Sequence, residues 1–159
     1  MENASRIEAL EQRIAKLEKV VESAIEVGGD GGPTVVRSHV LVLLGPDGRG
    51  RMAATTGPDG SVVLQLLDAD GRLRAGLGVG PSGEPSLILA DARGRVKLSV
   101  QMTSEGMPEL VMAGDRGGRR IDLSVDDEGN PSLAMLDENG GPRVLVMVSP
   151  NGEGTVMTK

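Results

Sequence analysis

The sequence predicts a mainly β chain with one N-terminal α-helix: a trimeric coiled coil, then an antiparallel β-meander of five 23-residue repeats folded into a triangular β-prism. Three observations carry this expectation. Apolar residues keep coiled-coil spacing through the first part of the chain, glycines then recur every 23 residues, and none of the 159 residues is Phe, Trp or Tyr. Without rings, and with 24 glycines, the interior must be narrow and the turns many. A content of 38% apolar and 25% charged residues still lies within the range of folded proteins.

The first element is the helix. Ile7, Leu10, Ile14, Leu17, Val21 and Ala24 alternate steps of three and four, the seam of three heptads. A coiled coil is expected over residues 2–27, a Gly/Pro linker and lead-in to the first strand over 28–38, and the repeat domain over 39–159. An isolated helix of this length is marginal in water, so it needs association. Ile at a with Leu at d is a pattern that favours parallel dimers. Against that, Arg6-Ile7-Glu8-Ala9-Leu10-Glu11 and Arg13-Ile14-Ala15-Lys16-Leu17-Glu18 both resemble the R-h-x-x-h-E motif (h apolar) of short trimeric coiled coils. That resemblance implies that Arg6 and Arg13 pack along the seam and pair with Glu11 and Glu18 of neighbours. A homotrimer is therefore expected, with a dimer as the alternative.

The strands come next. Gly48, Gly71, Gly94, Gly117 and Gly140 are each 23 apart, as are Gly60, Gly83, Gly106, Gly129 and Gly152. Arg51, Arg74, Lys97, Arg120 and Arg143 share one slot, and Leu64, Leu87, Leu110, Leu133 and Val156 share another. Such a period marks a repeat architecture. Alternation of apolar and polar residues within each repeat predicts half-buried strands. Segments such as Asp91-Ala92-Arg93-Gly94 and Pro58-Asp59-Gly60 predict short hairpin turns with a left-handed glycine and a bulge. Pro85, Pro108 and Pro131 fall where a strand begins.

One face of the meander is expected to be apolar: Leu64, Leu66, Leu77, Val79, Leu87, Leu89, Leu98, Val100, Leu110, Met112, Ile121, Leu123, Leu133, Met135, Val144 and Val146. The opposite slot holds Ala53, Gly76, Ser99, Asp122 and Leu145 beside the basic row. A sheet with one apolar face needs a second layer, and the chain has no sequence left to supply it. Three ribbons facing inward would form the prism; a monomeric β-solenoid, with one coil per repeat, is the alternative. The arrangement resembles trimeric fibre proteins, such as phage tail fibres and spikes and bacterial trimeric adhesin stalks, in architecture alone.

Nothing in the sequence asks for catalysis. His39 is the one histidine and there is no cysteine, so neither a Cys–His nucleophile pair nor a zinc set is expected. Asp68-Ala69-Asp70-Gly71 starts like a calcium loop but lacks the later ligands. Asp126, Asp127 and Glu128 form the densest acidic run, explained by solvation and turn hydrogen bonds. Gly76, Gly78, Gly80 and Gly83 lack the lysine and helix of a phosphate loop. No cofactor, no metal and no catalytic residue is expected. A net charge of −6 argues against nucleic acid, and no apolar run suits membrane insertion or a signal peptide. Synthesis in the cytoplasm, with display on a virion or surface, is compatible with this. The expected role is structural, with end-to-end association through the last strand as an extension. The alternative is a binding module offering its basic row to a glycan or acidic polymer.

Overall fold

The computed structural model describes residues 2–26, 35, 36 and 38–159. The chain divides into two compact units, Met1–His39 and Val40–Lys159. In the first, helix α1 spans Glu2–Ala24. Strand β1 (Ile25–Glu26) pairs antiparallel with β2 (Val35–Val36), Ile25 opposite Val36 and Glu26 opposite Val35. The helix thus stops short of the expected Val27, because the backbone of Ile25 and Glu26 bonds across to a β-branched pair instead of continuing the helical ladder. Val27 and the linker glycines lie outside the described residues.

The second unit is one sheet. Its strands are β3 (Val40–Leu44), β4 (Gly50–Thr56), β5 (Val62–Leu67), β6 (Leu73–Val79), β7 (Pro85–Ala90), β8 (Val96–Met102), β9 (Pro108–Ala113), β10 (Arg119–Val125), β11 (Pro131–Leu136), β12 (Pro142–Val148) and β13 (Gly154–Thr158). All eleven lie in sequence order and pair antiparallel with their chain neighbours. A solenoid would instead stack successive coils side by side in parallel, and no such pair occurs among the described strands. At about 4.8 Å per strand the ribbon runs about 50 Å.

One turn design closes every hairpin of this sheet. In each of ten turns the first residue's N–H donates to the fifth residue's carbonyl, and the fourth residue's N–H donates to the first carbonyl; for the turn from Asp91 to Arg95 both distances are 2.9 Å. The fourth residue is always glycine, with φ between 74° and 96°. A side chain at that φ meets its own backbone, so glycine is the residue that fits. Pro85, Pro108, Pro131 and Pro142 open β7, β9, β11 and β12.

The turns fall on two long edges. Those joining β3–β4, β5–β6, β7–β8, β9–β10 and β11–β12 lie along one edge, and the other five lie opposite. The two edges differ in one respect. Register shifts occur only along the first, between Leu43 and Leu44, Leu66 and Leu67, Leu89 and Ala90, Arg119 and Ile121, and Met135 and Leu136. In each case the residue left unpaired is the basic one: Arg51, Arg74, Lys97, Arg120 or Arg143. The basic row is therefore the row of β-bulges, each the extra residue that one strand of the hairpin inserts.

Candidate functional site

The register assembles the apolar residues into continuous rows across the sheet. One row runs through Ala54, Leu64, Leu77, Leu87, Val100, Leu110, Leu123, Leu133, Val146 and Val156, each opposite the next. A second, two residues along, runs through Met52, Leu66, Ala75, Leu89, Leu98, Met112, Ile121, Met135 and Val144. Val79 lies in a third row, between Val62 and Pro85. Every sheet-face residue expected from the sequence thus belongs to one face.

That face is open. Leu77 is 54% exposed and Val156 68%. Among the described apolar side chains only Ala90 and Val111, at 9% and 8%, are buried, and both belong to strand positions of the opposite face. The opposite face carries the row Ala53, Gln65, Gly76, Ile88, Ser99, Val111, Asp122, Ala134 and Leu145. A single-layer sheet whose aliphatic face is wet has little to hold it, because burial of apolar area is the main stabilising term. At about 50 Å by about 20 Å the face covers roughly 1,000 Å², comparable with the ~800 Å² per partner that stable protein interfaces bury.

On α1, Ile7, Leu10, Ile14 and Leu17 are all exposed, Leu17 at 62%. Arg6, Glu11, Arg13 and Glu18 are exposed too. Val21 and Ala24 lie within α1, and their side chains fall outside what the structure describes. Among the described side chains of the expected seam, Ile7, Leu10, Ile14 and Leu17 form an open stripe in the single chain.

The charged groups mostly serve the turns. Asp68, Asp91, Asp126 and Asp137 each open a turn, and Oδ1 of each accepts from the backbone N–H groups two and four residues on; for Asp91 these are Arg93 at 2.8 Å and Arg95 at 3.1 Å. In two of the four turns that glycine opens, an aspartate at the third position substitutes: Asp59 Oδ1 accepts from Ser61 N at 3.1 Å and Asp47 Oδ1 from Arg49 N at 3.2 Å. The Arg95 guanidinium and the Arg95 and Arg93 amides bring the Asp91 carboxyl down to about 2. Asp137 is lowered chiefly by the Gly141 amide and Asp68 by the Arg72 amide.

The bulge cations fold back on these turns. Arg51 Nη2 donates to Asp47 Oδ2 at 2.9 Å, Arg74 Nε to the Ala90 carbonyl at 3.2 Å, and Arg143 Nε to Asp137 Oδ2 at 2.8 Å. Lys97 Nζ reaches the Gly114 carbonyl at 2.9 Å and Asp115 Oδ1 at 2.8 Å, which lowers Asp115. Arg120 lies against Gly114. A row so engaged has less to offer an acidic polymer than its spacing suggests. The sequence predicts a bulge at the turns but not its place at the basic slot, although that signal is there: turn glycines alternate steps of 12 and 11, so one strand of each hairpin carries an extra residue.

Among the described residues, no three His, Cys, Asp or Glu side chains are grouped to hold a metal ion. No described helix is long and apolar enough to cross a membrane. The chain matches no protein-family model and no curated protein.

Proposed function

We propose that this protein is a structural stalk or fibre module without catalytic activity, whose chains assemble as a homotrimer through the α1 seam and the apolar sheet face. The observation that carries this reading is the eleven-stranded sheet with aliphatic rows open along one face and no second layer in its own unit. Three ribbons facing inward form a triangular β-prism whose thin interior suits Leu, Val, Ile and Met and leaves little room for rings. Static light scattering tests it. A mass near 50 kDa, three times the 16.5 kDa chain, is expected; a 16.5 kDa particle at micromolar concentration rejects it.

End-to-end growth is a further part of the proposal. An odd number of antiparallel strands leaves β3 and β13 pointing the same way. Two like edges pairing antiparallel close as a two-fold pair, so a filament built from a single kind of edge contact requires a parallel β13-to-β3 contact. Deleting residues 153–159 removes that edge. Filaments that persist in electron micrographs of the truncated chain would rule the contact out.

A further inference from the structure

The two turn edges of the sheet carry opposite charge. From residue 40 onward every Lys and Arg belongs to the bulged edge: Arg49, Arg72, Arg93, Arg95 and Arg116 in its turns, the five bulge residues, Arg119 at the start of β10, and Lys159, whose N–H donates to the Arg143 carbonyl at 3.1 Å. Arg119 turns inward and pairs with Glu109 and Asp122. The other eleven cations outnumber the seven carboxylates of their edge. The opposite edge carries Asp59, Glu84, Glu105, the run Asp126 to Glu128, and Glu153, with no Lys or Arg at all.

These edges cannot neutralise each other within one chain. They are separated by the strand length, about 20 Å, well beyond the ~8 Å screening length at physiological salt. A partner is left to do so. Two copies that pack apolar face on apolar face are related either by rotation about the ribbon's long axis or by a two-fold along the strands. Rotation keeps the chains parallel and sets each bulged edge against the acidic edge of the next copy. The two-fold makes them antiparallel and sets like edge on like edge, cation against cation and carboxylate against carboxylate.

We infer that the occupant of the apolar face is further copies of this chain in parallel orientation, joined basic edge to acidic edge around the ribbon axis. Each contact is heterologous, and it closes because rotation about one axis returns to the start. The charge pattern acts as a selector: it favours the parallel assembly and penalises the antiparallel one. This rests on the trimer proposed above and adds its polarity and its corner contacts.

The sequence has no cysteine, so introduced thiols report cleanly. Arg93→Cys lies on the bulged edge and Ser104→Cys on the acidic edge, at opposite ends of β8 and too far apart for a short bismaleimide to join within one chain. The double variant is expected to give covalent species up to about 50 kDa, three times 16.5 kDa, and each single variant to stay uncrosslinked. Efficient linking of the single variants, with nothing added by the pair, overturns the polarity while a 50 kDa mass by light scattering leaves the trimer standing. A monomeric mass overturns both.

Charge reversal tests the selector itself. Glu84→Lys, Glu105→Lys, Asp127→Lys and Glu153→Lys together are expected to weaken self-association by roughly tenfold or more at low salt. Adding Arg49→Glu, Arg72→Glu, Arg93→Glu and Arg116→Glu to the same chain restores it. Unchanged association of the first variant, or no recovery in the second, overturns the inference.

Discussion

Asp137 and Arg143 are joined through a carboxylate that does two things: Oδ2 accepts from Arg143 Nε at 2.8 Å, while Oδ1 accepts from the Asn139 and Gly141 amides at 2.9 Å each. One side chain thus ties a turn to the bulge that follows it. Asp137→Ala removes both, whereas Asp137→Asn keeps the amide acceptor and loses the ion pair. The alanine variant is expected to melt a few degrees below the parent, with the asparagine variant between them. Equal melting of Ala and Asn would show that the amide-accepting oxygen contributes nothing.

Acid should undo the same turns. Asp68, Asp91, Asp126 and Asp137 are all lowered, so each binds its proton more weakly folded than unfolded. The stability they contribute is complete above the ordinary aspartate pKa of about 3.9 and is lost as pH falls through the folded value, about 2 for Asp91. Thermal unfolding followed from pH 7 to pH 2 should hold steady and then fall below about pH 4. Asp91→Asn starts lower and declines less over that window. A parallel decline in parent and variant would remove Asp91 from the account.

Two glycines separate backbone strain from crowding. A Cβ at Gly106 or at Gly118 meets nothing within 4 Å, but Gly106 has φ +83° and Gly118 has no positive φ. Gly106→Ala is expected to cost about 1–2 kcal/mol, the left-handed penalty of an L-residue. Gly118→Ala is expected to add about 0.4–1 kcal/mol by restricting the unfolded chain. Urea titration of both variants gives the comparison, and equal losses would place the effect in the turn's surroundings rather than in φ.

These residues also show how far the chain can be read without coordinates. The turn glycines declare themselves because one backbone conformation penalises residues with a Cβ, and the repeats impose that constraint ten times. The sheet face follows from alternation alone, since a strand's side chains have a strict period of two. Arg51 and its equivalents were harder, because a slot that repeats says nothing about pairing. Their role is signalled by the unequal glycine steps of 12 and 11, which set strands of seven residues against strands of six, as β8 faces β7 and β9. The charged edges were hidden for a related reason: Arg93 and Ser104 are close in sequence, and only the hairpin topology sends them to opposite sides.

Leu110 and Ser99 probe which face takes a partner. Leu110 lies in the aliphatic row between Val100 and Leu123, and Ser99 lies on the other face between Ile88 and Val111. A carboxylate in a buried aliphatic row is poorly tolerated, while one beside solvent costs little. For the trimer proposed above, Leu110→Asp is expected to reduce the light-scattering mass from about 50 kDa toward the 16.5 kDa chain, and Ser99→Asp to leave it unchanged. The opposite pattern would assign the interface to the face that carries Ser99.

The helix gives the last test, because a single α1 of 23 residues with an open apolar stripe has little reason to be helical alone. Ile14 is 53% exposed at the centre of that stripe. Ile14→Asp puts a charge in the seam, whereas Ala15→Gln changes the neighbouring position, off the seam, at little cost in helix propensity. If association holds α1, Ile14→Asp should lower both the 222 nm circular dichroism and its concentration dependence, with Ala15→Gln matching the parent. A helical signal that is independent of concentration in the parent and unaltered by Ile14→Asp would mean that α1 is stable without partners, and the seam would then lose its place in the assembly.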